Sequence, residues 1–211
     1  MLELSDDMPK AGVVFVKYQQ HKKAYLGDCF GVVITADHSE DRSLITKLVK
    51  AAKEGELMVV DVVSEKAKHR ESHMQKYCDL EIIVPADCKL DAEQVAKRYF
   101  DSFNDIGLVA IDVEDICNQI RTGSGTAYAF YGCGNTAAMA VQALTQSSSF
   151  AAKLASAKSV LIDVESSEPR MSDLEDIINA IEKLASNDCT ILFTLRLGVE
   201  TDGVSVMAII R

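Results

Sequence analysis

The chain has 211 residues, which suits one large domain or two small ones, and 48% apolar residues suffice for a packed core, which excludes global disorder. A net charge of -10 excludes a nucleic-acid partner, whose phosphates require a basic face. No apolar run reaches the roughly 20 residues of a membrane span, and the acidic first seven residues do not read as a signal peptide.

Residues 13–18 read as a first strand, and 30–36 as a second, apolar enough to be buried on both faces. The turn Asp37-His-Ser-Glu-Asp-Arg-Ser43 follows, with Ser39 as the expected cap of a helix that carries Leu44, Ile45, Leu48, Val49 and Ala52 and stops at Gly55. Residues 57–63 and 81–84 are further strands, the latter closed by Pro85. Strands alternating with helices imply a parallel sheet with right-handed crossovers. Asp91 and Gln94 form an N-cap and N3 pair for a central helix bearing Ala92, Val95, Ala96, Tyr99, Phe100 and Phe103. Gly107 is the expected stop, at positive φ. The loop after it holds Asp112, Glu114 and Asp115. Ile116 and Ile120 continue a helical face that Gly123-Ser-Gly125 breaks.

Residues 126–132 read as a strand. Asn135 is the expected cap of an Ala-rich helix over 136–144, whose small side chains suit close packing on a sheet, and three serines mark its exit. A strand over 157–164 precedes Ser172-Asp-Leu-Glu175, which reads as a capping box before the stripe Leu174, Ile177, Ile178, Ile181 and Leu184. Residues 190–195 and 204–210 are strands, with Thr201-Asp-Gly203 read as a hairpin turn between them.

Several residues invite a chemical reading beside a plainer one. His69 and His73 would share a helix face and could hold a metal, or simply sit on a solvated surface helix. Cys133, in Tyr-Gly-Cys-Gly-Asn, would have an activated thiol at a helix start; a tight strand-to-helix turn is the plainer purpose of Gly132 and Gly134. Ser124 between two glycines lacks the surroundings of a nucleophile elbow. Asp61 and Asp163 interrupt apolar strands, where a cleft or strand-end exposure would account for them. The six cysteines (Cys29, Cys78, Cys88, Cys117, Cys133, Cys189) form no C-x-x-C pair and read as reduced, mostly buried thiols of a cytoplasmic protein.

The order of these motifs resembles the FtsZ branch of the tubulin superfamily over roughly residues 30–211. The loop after the central helix is similar to the family's N-x-D-x-x-D, with Ala110 at the Asn position and Asp112 and Asp115 at the two Asp positions. Ser148-Ser149, Ala157-Lys158-Ser-Val-Leu-Ile-Asp-Val164, Leu174-Glu175-Asp-Ile-Ile and Ala185-Ser186-Asn-Asp-Cys-Thr190-Ile match the family's second domain in order. The resemblance implies an α/β fold: a truncated parallel, nucleotide-domain-like sheet, joined by a central helix to a second α/β domain with a mixed four-stranded sheet. It divides the chain into a shortened, degenerate nucleotide-domain remnant (1–90), the central helix and acidic loop (91–125) and the second domain (126–211).

In that family the two loop carboxylates reach GTP bound to the next subunit, so the resemblance makes Asp112 and Asp115 the candidate catalytic pair. The plainer reading is a helix N-cap and a first-turn carboxylate. The family's glycine-rich phosphate turn falls at 37–43, where this chain has no glycine between Val32 and Glu54 and carries Asp37, Glu40 and Asp41. Carboxylates repel a polyphosphate where bare backbone N–H groups should cradle it, and Arg42 offsets only part of this. The expectation is therefore a member shortened at its N-terminus, with no GTP site, metal or other cofactor of its own. Such a protein would associate with itself or cap an intact FtsZ-type subunit, and would lack a direct membrane anchor. The alternative is a GTPase whose site is completed at a subunit interface.

Overall fold

The computed structural model describes residues 12–16, 29–35, 42–55, 57–66, 78–104, 107–111, 115, 125–198 and 203–211. Eight strands form one sheet: β1 (Gly12–Val16), β2 (Cys29–Thr35), β3 (Met58–Ser64), β4 (Leu80–Val84), β5 (Gly125–Gly134), β6 (Ser159–Ser166), β7 (Thr190–Leu197) and β8 (Val204–Ile210). Their order across the sheet is β1-β2-β3-β4-β5-β8-β6-β7. The helices are α1 (Arg42–Glu54), α2 (Ala92–Asn104), α3 (Ala137–Thr145), α4 (Phe150–Ala155) and α5 (Met171–Glu182).

The first five strands lie side by side in chain order, all parallel; the alternating pattern predicts this for the first four. β3 and β4 are buried along almost their whole length, so both faces are apolar and both are covered. The second half is mixed, with β8 antiparallel to β5 and β6, and β6 parallel to β7. The expectation of a separate four-stranded sheet needs correction. Leu80–Ile83 of β4 pairs in register with Gly125–Tyr128 of β5, and that pairing fuses both halves into one sheet.

The hairpin expected between the last two strands is also corrected. β7 lies at the sheet edge beside β6, whereas β8 inserts between β5 and β6. Every residue of β8 is buried, with valines on one face and Met207 and Ile209 on the other. A strand apolar on both faces belongs in the sheet interior, and a hairpin would have left it at the edge. Gly203 does turn the chain there, at φ +103°.

α2 organises one face of the sheet. Its N-terminus has the expected reciprocal cap: Gln94 N–H donates to Asp91 Oδ1 at 2.8 Å, and Asp91 N–H to Gln94 Oε1 at 3.0 Å. Ala92, Val95, Ala96 and Tyr99 are buried among Val60, Ile82, Ala129, Leu161, Met207 and Ile209, so strands of both halves meet around this helix. The helix ends at Asn104, but Gly107 is not at positive φ. Its glycine serves close approach instead, because a Cβ there would lie 2.6 Å from the Leu195 carbonyl oxygen.

α3, α4 and α5 cover the other face of the second half. A side chain at Gly132 would collide with the α3 backbone at Ala140 and Leu144, so the small residues do serve close helix-to-sheet packing. Three local expectations shift. Thr136 rather than Asn135 caps α3, accepting from Met139 N–H at 3.3 Å. α5 begins at Met171 after an extended Arg170, so Ser172 lies inside the helix and is not its cap. α4 was not expected; its anchors are the buried Phe150 and Leu154, and Phe150 meets Phe130 edge to face at 5.3 Å.

Candidate functional site

Charged residues are rare in the interior, so those found there mark where the fold departs from simple packing. Asp163, mid-strand in β6, is fully buried. It accepts from Arg98 Nε of α2 at 2.5 Å, Arg196 Nε of β7 at 2.8 Å, Arg196 Nη2 at 3.2 Å and Thr194 Oγ1 at 2.7 Å. Arg98 also donates to Ser205 Oγ of β8 at 2.8 Å, and to the Asp163 and Ser205 carbonyls at 3.0 and 3.2 Å. Glu165, two residues along β6 on the same face, pairs with Arg98 at 3.5 Å and Arg196 at 3.4 Å. The Arg98 guanidinium lies 5.3 Å from the Tyr131 ring centre.

Two arginines and two carboxylates thus cancel in charge. Burial alone would raise the Asp163 carboxyl, but the Arg98 charge and the Arg196 bonds outweigh it and hold that group below the usual carboxylate range. Burial would lower the Arg196 guanidinium, yet its bonds to Asp163 and the charges of Asp163 and Glu165 push it above its ordinary value. A cluster so mutually satisfied offers no lone donor set for an anion. Among the described residues no group of His, Cys, Asp and Glu could hold a metal.

A cavity of about 300 Å³ opens where β3 and β4 end and α2 begins, lined by Lys66, Pro85, Cys88, Lys89, Leu90 and Gln94 among others. This is the crevice at the carboxyl ends of parallel strands where open α/β sheets hold ligands. Its carboxylates are already engaged: Glu65 accepts from Ala86 N–H at 3.0 Å, and Asp91 caps α2.

No protein-family model matches the chain, and no curated protein does. Among solved structures, an empty FtsZ dimer from M. jannaschii superposes with a TM-score of 0.70 at 16% identity, over 87% of this chain and 63% of that one. The fold is FtsZ-like. A mutant of M. jannaschii FtsZ matches equally, with a TM-score of 0.70 at 16% identity over 87% of this chain and 65% of its own. The chain therefore spans less than two thirds of the FtsZ chains it matches.

Within this FtsZ-like fold, residues 107–111 after α2 meet the edge strand of the sheet. Val109 forms an antiparallel bridge with Leu195 of β7, their amides donating to each other's carbonyls at 3.2 and 3.1 Å. Asp115 is exposed and helical, whereas Asp112 lies outside the described residues, as do the 37–41 turn, His69, His73 and Ser124. Cys133 sits at the end of β5 rather than at a helix start, and it is exposed. Cys78, Cys88 and Cys189 are half-buried, so the described thiols are less enclosed than expected, and all four are free. Strand-end exposure does not explain Asp61 or Asp163: both are buried within their strands. No helix among the described residues is long and apolar enough to cross a membrane.

Sequence reasoning missed Arg98, Arg196, Ser205 and Thr194. The available signal was opposite charge at apolar positions of separate strands: Asp163 between Ile162 and Val164, and Arg196 between Leu195 and Leu197.

Proposed function

We propose that this FtsZ-like protein is an assembly or regulatory module without a guanine-nucleotide site of its own. It presents the loop face after α2 to another subunit, either a second copy or an intact FtsZ-type subunit whose filament end it caps. The single observation that carries this reading is the connection between β2, which ends at Thr35, and α1, which starts at Arg42. Six residues span it, three of them carboxylates (Asp37, Glu40, Asp41) and none a glycine. A triphosphate cradle needs close backbone approach and bare N–H groups at a helix start, so this donor set does not fit one. The exposure of Asp115 supports an outward-facing role for the loop, with Asp112 as its companion. One structural neighbour is an FtsZ dimer, which supports association as the function of this shape. The charge of -10 supports a protein partner over nucleic acid.

Mixing the chain with an intact FtsZ and GTP is expected to shorten polymers or change their turnover. Unaltered polymers at stoichiometric excess, together with a solution mass that stays monomeric, would remove this reading. A second reading, GTP bound at a site completed by a neighbouring subunit and hydrolysed with Asp112 and Asp115, draws on the same exposed loop. Titration calorimetry separates the two: micromolar GTP binding favours the second, and no heat favours the first.

A further inference from the structure

The buried ions do more than satisfy one another. Arg98 lies on the helix from which the acidic loop departs, and Arg196 directly follows Leu195, the residue to which that loop is bridged. Both guanidinium groups converge on Asp163 and Glu165. Gly107 lets the chain pass against the Leu195 carbonyl, so both Gly107 and Val109 lie against Leu195, the neighbour of Arg196.

We infer that Arg98 is a positioning residue, a latch that fixes α2 against β6 and β8 and, through Asp163 and Arg196, against β7, and thereby holds residues 107–111 at the base of the loop in place. Apolar packing alone would not do this. The contacts of Val95, Ala96 and Tyr99 are non-directional and single out no polar partner on β6 or β8. The Arg98 fork meets its partners in one orientation, with Nε on the Asp163 carboxylate and Nη1 on the Ser205 hydroxyl. Asp163 cannot shift toward either arginine without weakening its bonds to the other. The helix, the three strands and the start of the loop therefore keep one geometry. That the latched loop is the surface offered to a partner rests on the assembly reading above.

Amide hydrogen exchange on the full chain tests the latch at the Val109 and Leu195 amides. Leu195 is fully buried, so its amide exchanges only when the bridge opens. Arg98→Met is expected to speed exchange at these two amides by about tenfold or more, with Val33, Val60 and Ile82 in β2, β3 and β4 unchanged. Arg98→Lys keeps the charge but loses the fork. It is expected to give the same local pattern at smaller size, and it carries the test if the methionine variant does not fold. Unchanged exchange at Val109 and Leu195, or an equal rise at every core amide, overturns the inference. The measurement needs no partner or nucleotide, so it stands apart from the assembly assay. A local exchange signature with unaltered FtsZ polymers supports the latch and counts against the assembly reading alone.

Discussion

α2 faces two different environments. Toward the first half of the sheet it packs by apolar side chains, Val95, Ala96 and Tyr99 against the valines and isoleucines of β2, β3 and β4. Toward the second half it adds an arginine that reaches into β6 and β8. The first kind of contact supplies stability and tolerates error. The second is costly to desolvate and demanding in geometry, so its value lies in specifying position rather than in net stability.

Four changes would break or sharpen that contrast. The largest effect is expected from Asp163→Ala, which leaves two buried guanidinium groups with Glu165 as the one carboxylate the cluster keeps. A loss of about 3–5 kcal/mol is expected in urea unfolding, and a loss below 1 would mean that the ions are better hydrated than their burial implies. Val95→Ala, on the apolar side, should cost about 2 kcal/mol while leaving exchange at the Val109 and Leu195 amides at its wild-type rate relative to the core. A smaller, pH-dependent difference follows from the depressed Asp163 carboxyl. Its contribution is complete above the ordinary carboxylate value of 3.8 and drains away only as the pH falls below it. The stability gap between wild type and Asp163→Asn should accordingly be flat from neutral pH down to that value and then narrow. A gap that closes well above it would show that the carboxyl is not held down. The smallest effect is expected from replacing the charges together, as Arg98→Met, Asp163→Leu and Arg196→Met. Stability should then lie within about 1 kcal/mol of wild type, while the loop-base amides lose their protection.

What the sequence disclosed follows the range of the interactions involved. The α2 cap needs only Asp91 and Gln94, three residues apart, and the helix stripe needs only its own period. Both could be read directly, as could the first four parallel strands from their alternation with helices, but not that β5 joins them. The insertion of β8 between β5 and β6 depends on which strands pair across the chain, and nothing near residues 201–203 encodes that. Gly107 was legible as a break but not as a near-contact with Leu195, which is distant in sequence. α4 has two core anchors, Phe150 and Leu154, too few to show a period. Of the site, Asp163 was visible as an acid in an apolar strand, but its partners were not. Arg98 follows Lys97 on a helix with other charges, and only the assembled sheet shows that one of these two cations turns inward while Lys97 pairs with Asp101 on the surface.

The placement of β8 has a consequence for how the protein is made. It is made after the other seven strands described, yet it alone connects β5 to β6. Until residues 204–210 emerge, the growing chain holds two unjoined sheet fragments, each with an open inner edge able to pair with a stranger. A nascent chain stalled before Val204 should therefore bind chaperones strongly, and one long enough to expose residues 204–210 outside the ribosome should bind them weakly.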